Sequence, residues 1–365
     1  MLRPQIQTTH ERLDARHDLT GRGVTIAFVD IGFYPHPDLV EPARRIKAYA
    51  DVVRARPLPE EFFQARPSSW HGTMTACVAA GSGYTSGGRF RGLASEADVV
   101  LLRAASESGR VEGVNVASAL RFPLRHPELG VQIVSVSLGV NDDDPGRAEV
   151  EAALGELADA GIIVVAAAGN NPDHEPLLPA ASHDVIAVGG SDDQRGEVRA
   201  WPSSFRRLAG PPKPDLVAPA ILVPAPMLPG TSTAREARPL FELISLLEEL
   251  DAERQFEQQR LGRELVEPAS LAALRQAVAR RMELQKYISP DYQHVDGTSF
   301  AAPVTAAVIA QMLQVNPRLT PTQIKRGLTE TANFMPDVEP ARQGAGVLRP
   351  RAAVAWADER RGDPT

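Results

Sequence analysis

The sequence predicts an α/β fold in which a mostly parallel sheet is flanked by helices on both faces. Short apolar runs recur along the chain, and segments with helical periodicity separate them. The runs are Val24–Val29, Asp98–Leu102, Ile133–Leu138, Ile162–Ala168 and Val185–Val188. Uninterrupted apolar runs of this length are typical of strands that are buried on both faces. Alternation of such strands with helices is typical of a parallel sheet with crossover helices.

Two helical segments support this fold class. The first is Val114–Leu124, and the second is Arg147–Ala160. One face of the second segment carries Val150, Leu154, Leu157 and Ala158. An apolar stripe at this spacing packs against a sheet while the opposite face of the helix stays in water. Both segments are therefore predicted to be helices that cover the sheet.

Composition limits what the chain can be. Its 365 residues, 43% of them hydrophobic, are enough for one large α/β core with an appended subdomain. The net charge of -7 gives no indication of the basic face that nucleic-acid binding needs. The single cysteine, Cys77, excludes an intramolecular disulfide framework, and we expect a buried, inert thiol. Since no apolar run approaches the roughly 18 residues of a membrane span, we expect neither a nucleic-acid nor a membrane partner.

Three residues stand at element boundaries, where a side chain is exposed yet held rigidly. Asp30 ends the first strong strand, and His71 opens the small-residue helix HGTMTACVAAG. Ser299 follows a Gly-Thr turn at the start of a second buried helix. A nucleophilic serine needs a base to take its proton, and the base needs a carboxylate to fix its tautomer. Taken singly, these residues fit a turn cap, an ordinary helix residue and an N-cap. Together they supply one carboxylate, one base and one nucleophile.

The segments around these residues resemble the three signatures of the subtilase family. They read V-D-I-G-(x)3-H-P-D-L at Val29–Leu39, H-G-T at His71–Thr73 and G-T-S-F-A-A-P at Gly297–Pro303. The resemblance runs from about Val24 to Trp356 and implies a subtilisin-like fold. It also implies a serine endopeptidase that works through an acyl-enzyme intermediate, with Asp30, His71 and Ser299 as its catalytic triad.

Two further segments extend the resemblance. Ala166–Asn170 (AAAGN) resembles the family's strand end at which an asparagine amide donates to the oxyanion, so Asn170 is predicted to form the oxyanion hole. The alternative for Asn170 is an ordinary Gly-Asn loop turn. Ser137–Gly139 (SLG) resembles the strand along which the substrate backbone lies. The predicted substrate-binding residues are Ser137, Leu138, Gly139, Ala166, Ala167 and Gly169.

Departures from the family pattern predict that no metal and no other cofactor is bound. Asp38 matches the family's calcium-ligating aspartate, yet Gly81–Gly92 has no Asp, Asn or Glu where many members bind the ion. Calcium needs several oxygen ligands, so we predict no calcium at that site. Five histidines lack the paired spacing of zinc ligands: His36, His126, His174, His183 and His294.

A long insertion interrupts the resemblance before Ser299. The predicted organisation is an N-terminal extension (1–22), a peptidase domain in two parts (23–226 and 289–357), a helical insertion (227–288) and a C-terminal tail (358–365). Within the insertion, Pro268 separates two stretches with apolar residues at helical spacing. The stretches are Leu240, Leu243, Ile244, Leu247 and Leu250, then Leu271, Leu274, Val278 and Met282. We expect two or three amphipathic helices that form a packed structural appendage, or else a lid or partner-docking arm.

Three functions that use protein or peptide substrates stay open at this stage. The first is a serine endopeptidase of broad use, the second a dedicated processing protease for one peptide or partner, and the third a non-catalytic peptide-binding pseudoenzyme. A pseudoenzyme usually lacks a catalytic side chain, whereas this chain has the whole set. Met1–Asp18 is polar and has no secretory signal pattern. We therefore expect a cytoplasmic protein if the chain is complete, and a secreted one if a signal and prodomain were removed.

Overall fold

The main sheet of the protein has eight strands, seven of which run along it in one continuous order. The computed structural model describes residues 6–54, 62–106, 108–194, 197–207 and 210–362. The strands of this sheet are β1 (Thr25–Asp30), β2 (Ile46–Asp51), β3 (Asp98–Arg103), β4 (Val131–Val136), β5 (Ile163–Ala167), β6 (Val185–Asp192), β7 (Arg199–Ala200) and β8 (Leu216–Pro219). Their order is β2-β3-β1-β4-β5-β6-β7, and β8 pairs with β6. All pairings are parallel except that of β6 with β7.

Helices cover both faces of this sheet, and two long helices form the insertion. They are α1 (Thr9–Arg12), α2 (Pro37–Val40), α3 (Trp70–Ala80), α4 (Gly113–Leu120), α5 (Phe122–Arg125), α6 (Arg147–Asp159), α7 (Ser232–Leu261), α8 (Ala269–Gln285), α9 (Thr298–Val315), α10 (Pro321–Thr331), α11 (Pro340–Gln343) and α12 (Pro350–Glu359). One core lies between the sheet and α3, α9, α10 and α12, and a second lies between the opposite face and α4 and α6. The predicted α/β class is therefore confirmed.

Successive side chains along the central strands belong alternately to these two cores. In β1, Ile26 and Phe28 belong to the core under α3 and α9, whereas Ala27 and Val29 belong to the core under α4 and α6. Successive side chains of a strand point to opposite faces, so a strand buried on both faces must be apolar at every position. This requirement explains the uninterrupted apolar runs of the sequence.

A second, three-stranded sheet lies beside the main one and leads into the helical insertion. Its strands are β9 (Val223–Pro226), β10 (Tyr287–Ser289) and β11 (Tyr292–Val295), in the order β10-β11-β9, all antiparallel. The helices α7 and α8 pack together between β9 and β10. Their apolar cluster consists of Met227, Ala237, Phe241, Ile244, Val278, Met282 and Tyr287.

Two predicted features differ from the structure. The expected helix Val114–Leu124 is two helices, α4 and α5, that meet at Arg121. Pro123 has no N–H to donate to the carbonyl four residues earlier, so the first helix ends there and a second begins. The second is the expectation that no apolar run approaches the length of a membrane span, because the buried helix predicted at Ser299, α9, has that length. By length and composition α9 could cross a membrane, but 89% of it is buried inside the protein, as expected for a core helix.

Candidate active site

Asp30 and His71 meet above the middle of the main sheet. Asp30 is the last residue of β1 and is only 1% exposed, while His71 is the second residue of α3. The Nδ1 atom of His71 lies 2.7 Å from Oδ1 of Asp30. The Thr75 hydroxyl lies 3.2 Å from Oδ2 of the same carboxylate. The carboxylate thus receives the Nδ1 proton of His71, so Nε2 is the nitrogen left to act as a base.

Gly72 allows this close approach of α3 to β1. A Cβ atom at this position would lie 2.8 Å from the Cβ of Asp30 and would overlap the carbonyl oxygen of Gly32. A residue with a side chain would therefore push α3 away from the strand end. The glycine that follows His71 in the sequence holds the imidazole within hydrogen-bond distance of Asp30.

Two opposing effects act on the charge of His71. Burial lowers the pKa of the imidazole, but the negative charge of Asp30 and the hydrogen bond to it raise the pKa. The net result is a pKa above the ordinary value of 6.5. Asp30 thus stabilises the imidazolium form of His71, which is the form a general base reaches after it accepts a proton.

Ser299 reaches the same place from α9. It is the second residue of that helix and is half-buried. The ring of its neighbour, Phe300, packs against the His71 ring with centroids 5.7 Å apart. The Ser137 hydroxyl donates to the Ser299 carbonyl oxygen across 3.0 Å, which ties the segment after β4 to the start of α9. Asp30 thus contacts His71, and Ser299 is the chain neighbour of the residue that packs against His71, so the three predicted triad residues lie on three neighbouring elements.

Asn170 is held in one orientation beside Ser299. The Thr298 N–H donates to Oδ1 of Asn170 across 2.9 Å, and the Thr298 hydroxyl lies 2.9 Å from the same oxygen. The Gly169 N–H in turn donates to the Thr298 hydroxyl across 3.1 Å. Because a backbone N–H can only donate, the atom that it meets must be the amide oxygen. The amino group of Asn170 therefore faces away from Thr298 and remains the side chain's donor.

Gly297 gives this amino group its room. Its backbone has a φ of +129°, in the region that favours glycine. A Cβ atom there would lie 3.3 Å from Nδ2 of Asn170. The glycine before Thr298 thus serves both the backbone turn into α9 and the position of the Asn170 donor.

A cavity of about 330 Å³ adjoins Ser299 and Asn170. Most of the predicted substrate-binding residues line it: Ser137, Leu138, Gly139, Ala167 and Gly169. Ala166 does not line this cavity, because its side chain points to the opposite face of the sheet and is fully buried in the core under α4 and α6. The alternation of side chains along β5 explains this correction, since Ala166 and Ala167 must point to opposite faces.

Sequence reasoning overlooked Thr298 and Thr75. Thr298 is fully buried and orients Asn170, and Thr75 lies beside the carboxylate of Asp30. Thr298 lies inside the Gly297–Pro303 motif, and Thr75 lies two residues after the His71–Thr73 motif. The sequence signal for Thr298 was its hydroxyl, one residue before the predicted nucleophile. If that hydroxyl is buried in the fold, it requires a hydrogen-bond partner.

The residues around Asp38 do not fit a calcium ion. One carboxylate oxygen accepts hydrogen bonds from the Thr85 N–H (3.0 Å) and hydroxyl (2.9 Å), and the other accepts from the Tyr292 hydroxyl. Burial, with the charge of Asp38 and the hydrogen bond to it, raises the pKa of Tyr292, so this hydroxyl stays a donor. Protons therefore occupy the positions where a cation would bind. Among the described residues, no group of three or more His, Cys, Asp and Glu could hold a metal ion.

Known proteins resemble this chain along most of its length. The subtilase family model, Peptidase S8, matches residues 21–348. The serine protease AprX of Bacillus subtilis is 29% identical over 353 residues, which cover 92% of this chain and 67% of AprX. Subtilisin BL of Lederbergia lenta is 28% identical over 232 residues, 64% of this chain and 74% of that protein.

A solved structure shows the same fold. It is a mutant of the protease domain of PatA, which matches with a TM-score of 0.61 and 19% identity and covers 94% of this chain and 98% of that one. At 19% identity this likeness shows the fold alone, whereas the match to the family model rests on sequence. Since that match spans residues 21–348 of 365, this chain belongs to the subtilase family and is a serine-type endopeptidase.

Proposed function

We propose that the protein hydrolyses peptide bonds through an acyl-enzyme intermediate on Ser299, with His71 as general base and acid. The observation that carries this proposal is the 2.7 Å contact between His71 and Asp30, with the His71 ring packed against Phe300 in the first turn of α9. A neutral imidazole that a carboxylate orients, and whose protonated form that carboxylate stabilises, takes a proton from a serine hydroxyl efficiently.

The first step joins the substrate carbonyl carbon to the oxygen of Ser299. His71 takes the hydroxyl proton at Nε2, and Asp30 stabilises the imidazolium that forms. The former carbonyl oxygen becomes an oxyanion. Its donors are the amino group of Asn170 and the N–H of Ser299, which lies in the first turn of α9 and so has no partner within the helix. Both donors are in position before the reaction, and their hydrogen bonds strengthen as negative charge develops on the oxyanion.

The second step breaks the peptide C–N bond. His71 gives its proton to the departing amine, which leaves as the new N-terminus, and the acyl group stays on Ser299. A water molecule then attacks this ester while His71 again accepts a proton. Breakdown of the second tetrahedral intermediate restores the serine and releases the acid product. The segment Ser137–Gly139 and the cavity beside it are where the acyl half of the substrate is expected to lie.

The replacement Ser299→Ala tests this proposal. Casein hydrolysis should fall by at least about 10⁴-fold, because members of a triad act as a unit, while the melting temperature stays that of the parent. A fluorophosphonate probe should label the parent and not the variant. Ser270→Ala is the matched control, since Ser270 is also the second residue of a helix, α8, but is fully exposed.

Two results would contradict the proposal. If Ser299→Ala cleaves casein as fast as the parent, Ser299 is not the nucleophile. If neither form cleaves casein or reacts with the probe, the protein is a peptide-binding pseudoenzyme. A parent that cleaves a single site in a broad peptide library identifies the dedicated processing protease.

A further inference from the structure

A second cavity lies on the other side of His71. Its volume is about 620 Å³, and it shares no lining residue with the cavity beside Ser299 and Asn170. Its walls come from three places: the start of α3, the strand β11 and the root of the helical insertion. We infer that this cavity, here called the insertion cavity, binds a large apolar or aromatic side chain on the amine half of the substrate.

Two walls of the insertion cavity belong to the elements that carry His71 and Ser299. Trp70 precedes His71 in α3, and the two rings meet edge to face with centroids 5.3 Å apart. Met74 lines the cavity one helical turn further on, and the Gln293 amide lies 4.0 Å from its sulfur. Gln293 belongs to β11, the strand that continues into the helix of Ser299. The insertion cavity therefore lies next to His71, which its wall residue Trp70 contacts.

The position of His71 determines which half of the substrate reaches the insertion cavity. The acyl half occupies the cavity that contains Ser299, Asn170 and the Ser137–Gly139 segment. The amine half must receive a proton from His71, so it departs on the His71 side of Ser299. The insertion cavity lies on that side, since Trp70 and Met74 flank His71 in α3.

The lining of the insertion cavity specifies the chemistry of its occupant. Its floor consists of Met74, Met227 and Leu228, which are 2%, 3% and 1% exposed. Trp70 stands at the edge with 43% of its surface exposed, so its ring is available for contact. Methionine side chains adapt to different shapes and make favourable contacts with aromatic rings. This floor itself offers a charged group no partner, and the one charged lining residue, Arg235, is exposed to solvent.

The insertion supplies much of this cavity. Met227, Leu228, Thr233 and Gln285 all lie within residues 227–288 and contribute to its walls. Thr233 lies at the start of α7 and Gln285 at the end of α8, the two points where the helix pair joins the rest of the chain. The inference thus gives the insertion a role in substrate selection at its root, and it rests on the proposed function.

The test separates the two halves of the substrate. The acyl sequence is taken from the casein fragments that the parent produces and is then kept constant. One substrate carries p-nitroaniline as its leaving group, and a series of quenched fluorescent peptides carries Gly, Asp, Leu or Phe in the residues after the cleaved bond. Thr233→Trp and Gln285→Trp each fill the insertion cavity from a different helix. Gln259→Trp places the same side chain on exposed surface of α7, about 39 Å away along the helix.

We expect the parent to cleave the Leu and Phe peptides at least about 10-fold faster, in kcat/KM, than the Gly and Asp peptides. Both filling variants should reduce this preference below threefold and hydrolyse the anilide within twofold of the parent rate. Gln259→Trp should behave as the parent does. A preference that persists in both filling variants, or that the parent lacks, overturns the inference while anilide hydrolysis leaves the proposed function intact. A parent that hydrolyses neither substrate class refutes the proposed function and this inference with it.

Discussion

The catalytic body and the helical insertion bury their side chains to very different extents. The body comprises residues 23–226 and 289–357. Its helix α9 buries 16 of its 18 residues, whereas α7 in the insertion buries four of 30. The body encloses two extended cores on the faces of one sheet, and the insertion has a single small apolar cluster at its root.

The far half of the insertion is held by charge instead of packing. Arg275 contacts Asp251 and Glu267 at 2.7 and 2.5 Å. Large apolar side chains are exposed along the two helices and the turn between them: Leu246, Leu250, Phe256, Leu261, Val266, Leu274 and Leu284. Partly exposed ion pairs contribute little to stability, so this half adds little to the fold.

This difference separates the roles of the two regions. The body fixes its functional groups through buried, fully paired polar contacts, so a change there should affect the chemistry or the stability strongly. Among the described residues, the main contacts of the insertion with the body lie at its root, so changes should matter there and fade toward the tip. The following predictions examine this contrast, beginning with the largest expected effect.

Asp30→Asn should cause the largest loss among these changes. Asparagine preserves the shape of the site but removes the charge and favours the wrong tautomer of His71, so kcat should fall by about 10⁴-fold. The pH profile supplies a second readout. In the parent, activity should rise with pH through a His71 pKa above 6.5, because the base must be neutral and Asp30 raises the pKa of its imidazole.

Loss of the Asp30 charge lowers the His71 pKa, so the rise in residual activity should move to lower pH. The profile of kcat/KM from pH 5 to 9 measures this shift. A variant whose rise stays at the parent pH would show that Asp30 does not set the pKa of His71. A flat parent profile, with the protein folded throughout, would argue against a histidine base.

Asn170→Asp should lower kcat by about 10²- to 10³-fold and leave KM nearly unchanged. Aspartate keeps an oxygen for the Thr298 N–H but loses the donor to the oxyanion. Asn170→Leu serves as the comparison, because it removes both functions. Both variants should lose activity, and only the leucine variant should also melt at a lower temperature. Near-parent rates in both variants, with a lower melting temperature for the leucine variant alone, would indicate that Asn170 only shapes its loop.

Tyr292→Phe should cost about 2–3 kcal/mol of unfolding free energy, since it leaves a buried oxygen of Asp38 without its donor. With about 2.1 cal/mol/K of unfolding entropy per residue, this cost should lower the melting temperature of a 365-residue chain by about 3–4 °C. Tyr84→Phe is the control, because Tyr84 is exposed. The parent's melting temperature should not respond to EDTA. A fall with EDTA would show that a bound cation stabilises the fold after all.

The sequence predicted the central strands and the triad because both are encoded locally. Strands buried on both faces have apolar runs as their sequences, and each proposed catalytic residue lies within a short motif at an element boundary. The edge strand β2 gave no such signal, since in its sequence IKAYAD only the two end residues are buried and the four between them are half-buried or exposed. The strands β9 and β11 are four residues long and depend on pairing with each other.

The insertion cavity could not have been predicted in the same way. Met74 and Met227 are distant in sequence and meet only because α3 packs against β9. Helical spacing did predict α7 and α8, but it also marked Leu250 and Leu274 as apolar-face residues, and both are exposed. Periodicity shows which face of a helix is apolar, not whether a partner element extends far enough to cover it.

Shortening the tip of the insertion should have the smallest effect. Residues 249–273 can be replaced by Gly-Ser-Gly-Gly between α7 and α8, because Arg275 contacts the carbonyl oxygen of Leu247 and so marks the level where the helices face each other. None of the removed residues is buried. The melting temperature should change by about 2 °C or less, and rates on casein, the anilide and the quenched peptides should stay within about twofold.

Phe241→Ala, at the root, is the matched comparison. Phe241 is buried in the apolar cluster that joins the insertion to Met227 and Tyr287, so its truncation should cost about 3–5 kcal/mol within that region. The preference for Leu or Phe on the amine half should then weaken, because Met227 also forms the floor of the insertion cavity, while anilide hydrolysis persists. If the shortened tip instead slowed casein and spared the peptides, the tip would be a lid for large substrates. A fall of more than about 5 °C in melting temperature after shortening would mean that the tip supports the fold, and the contrast between root and tip would be wrong.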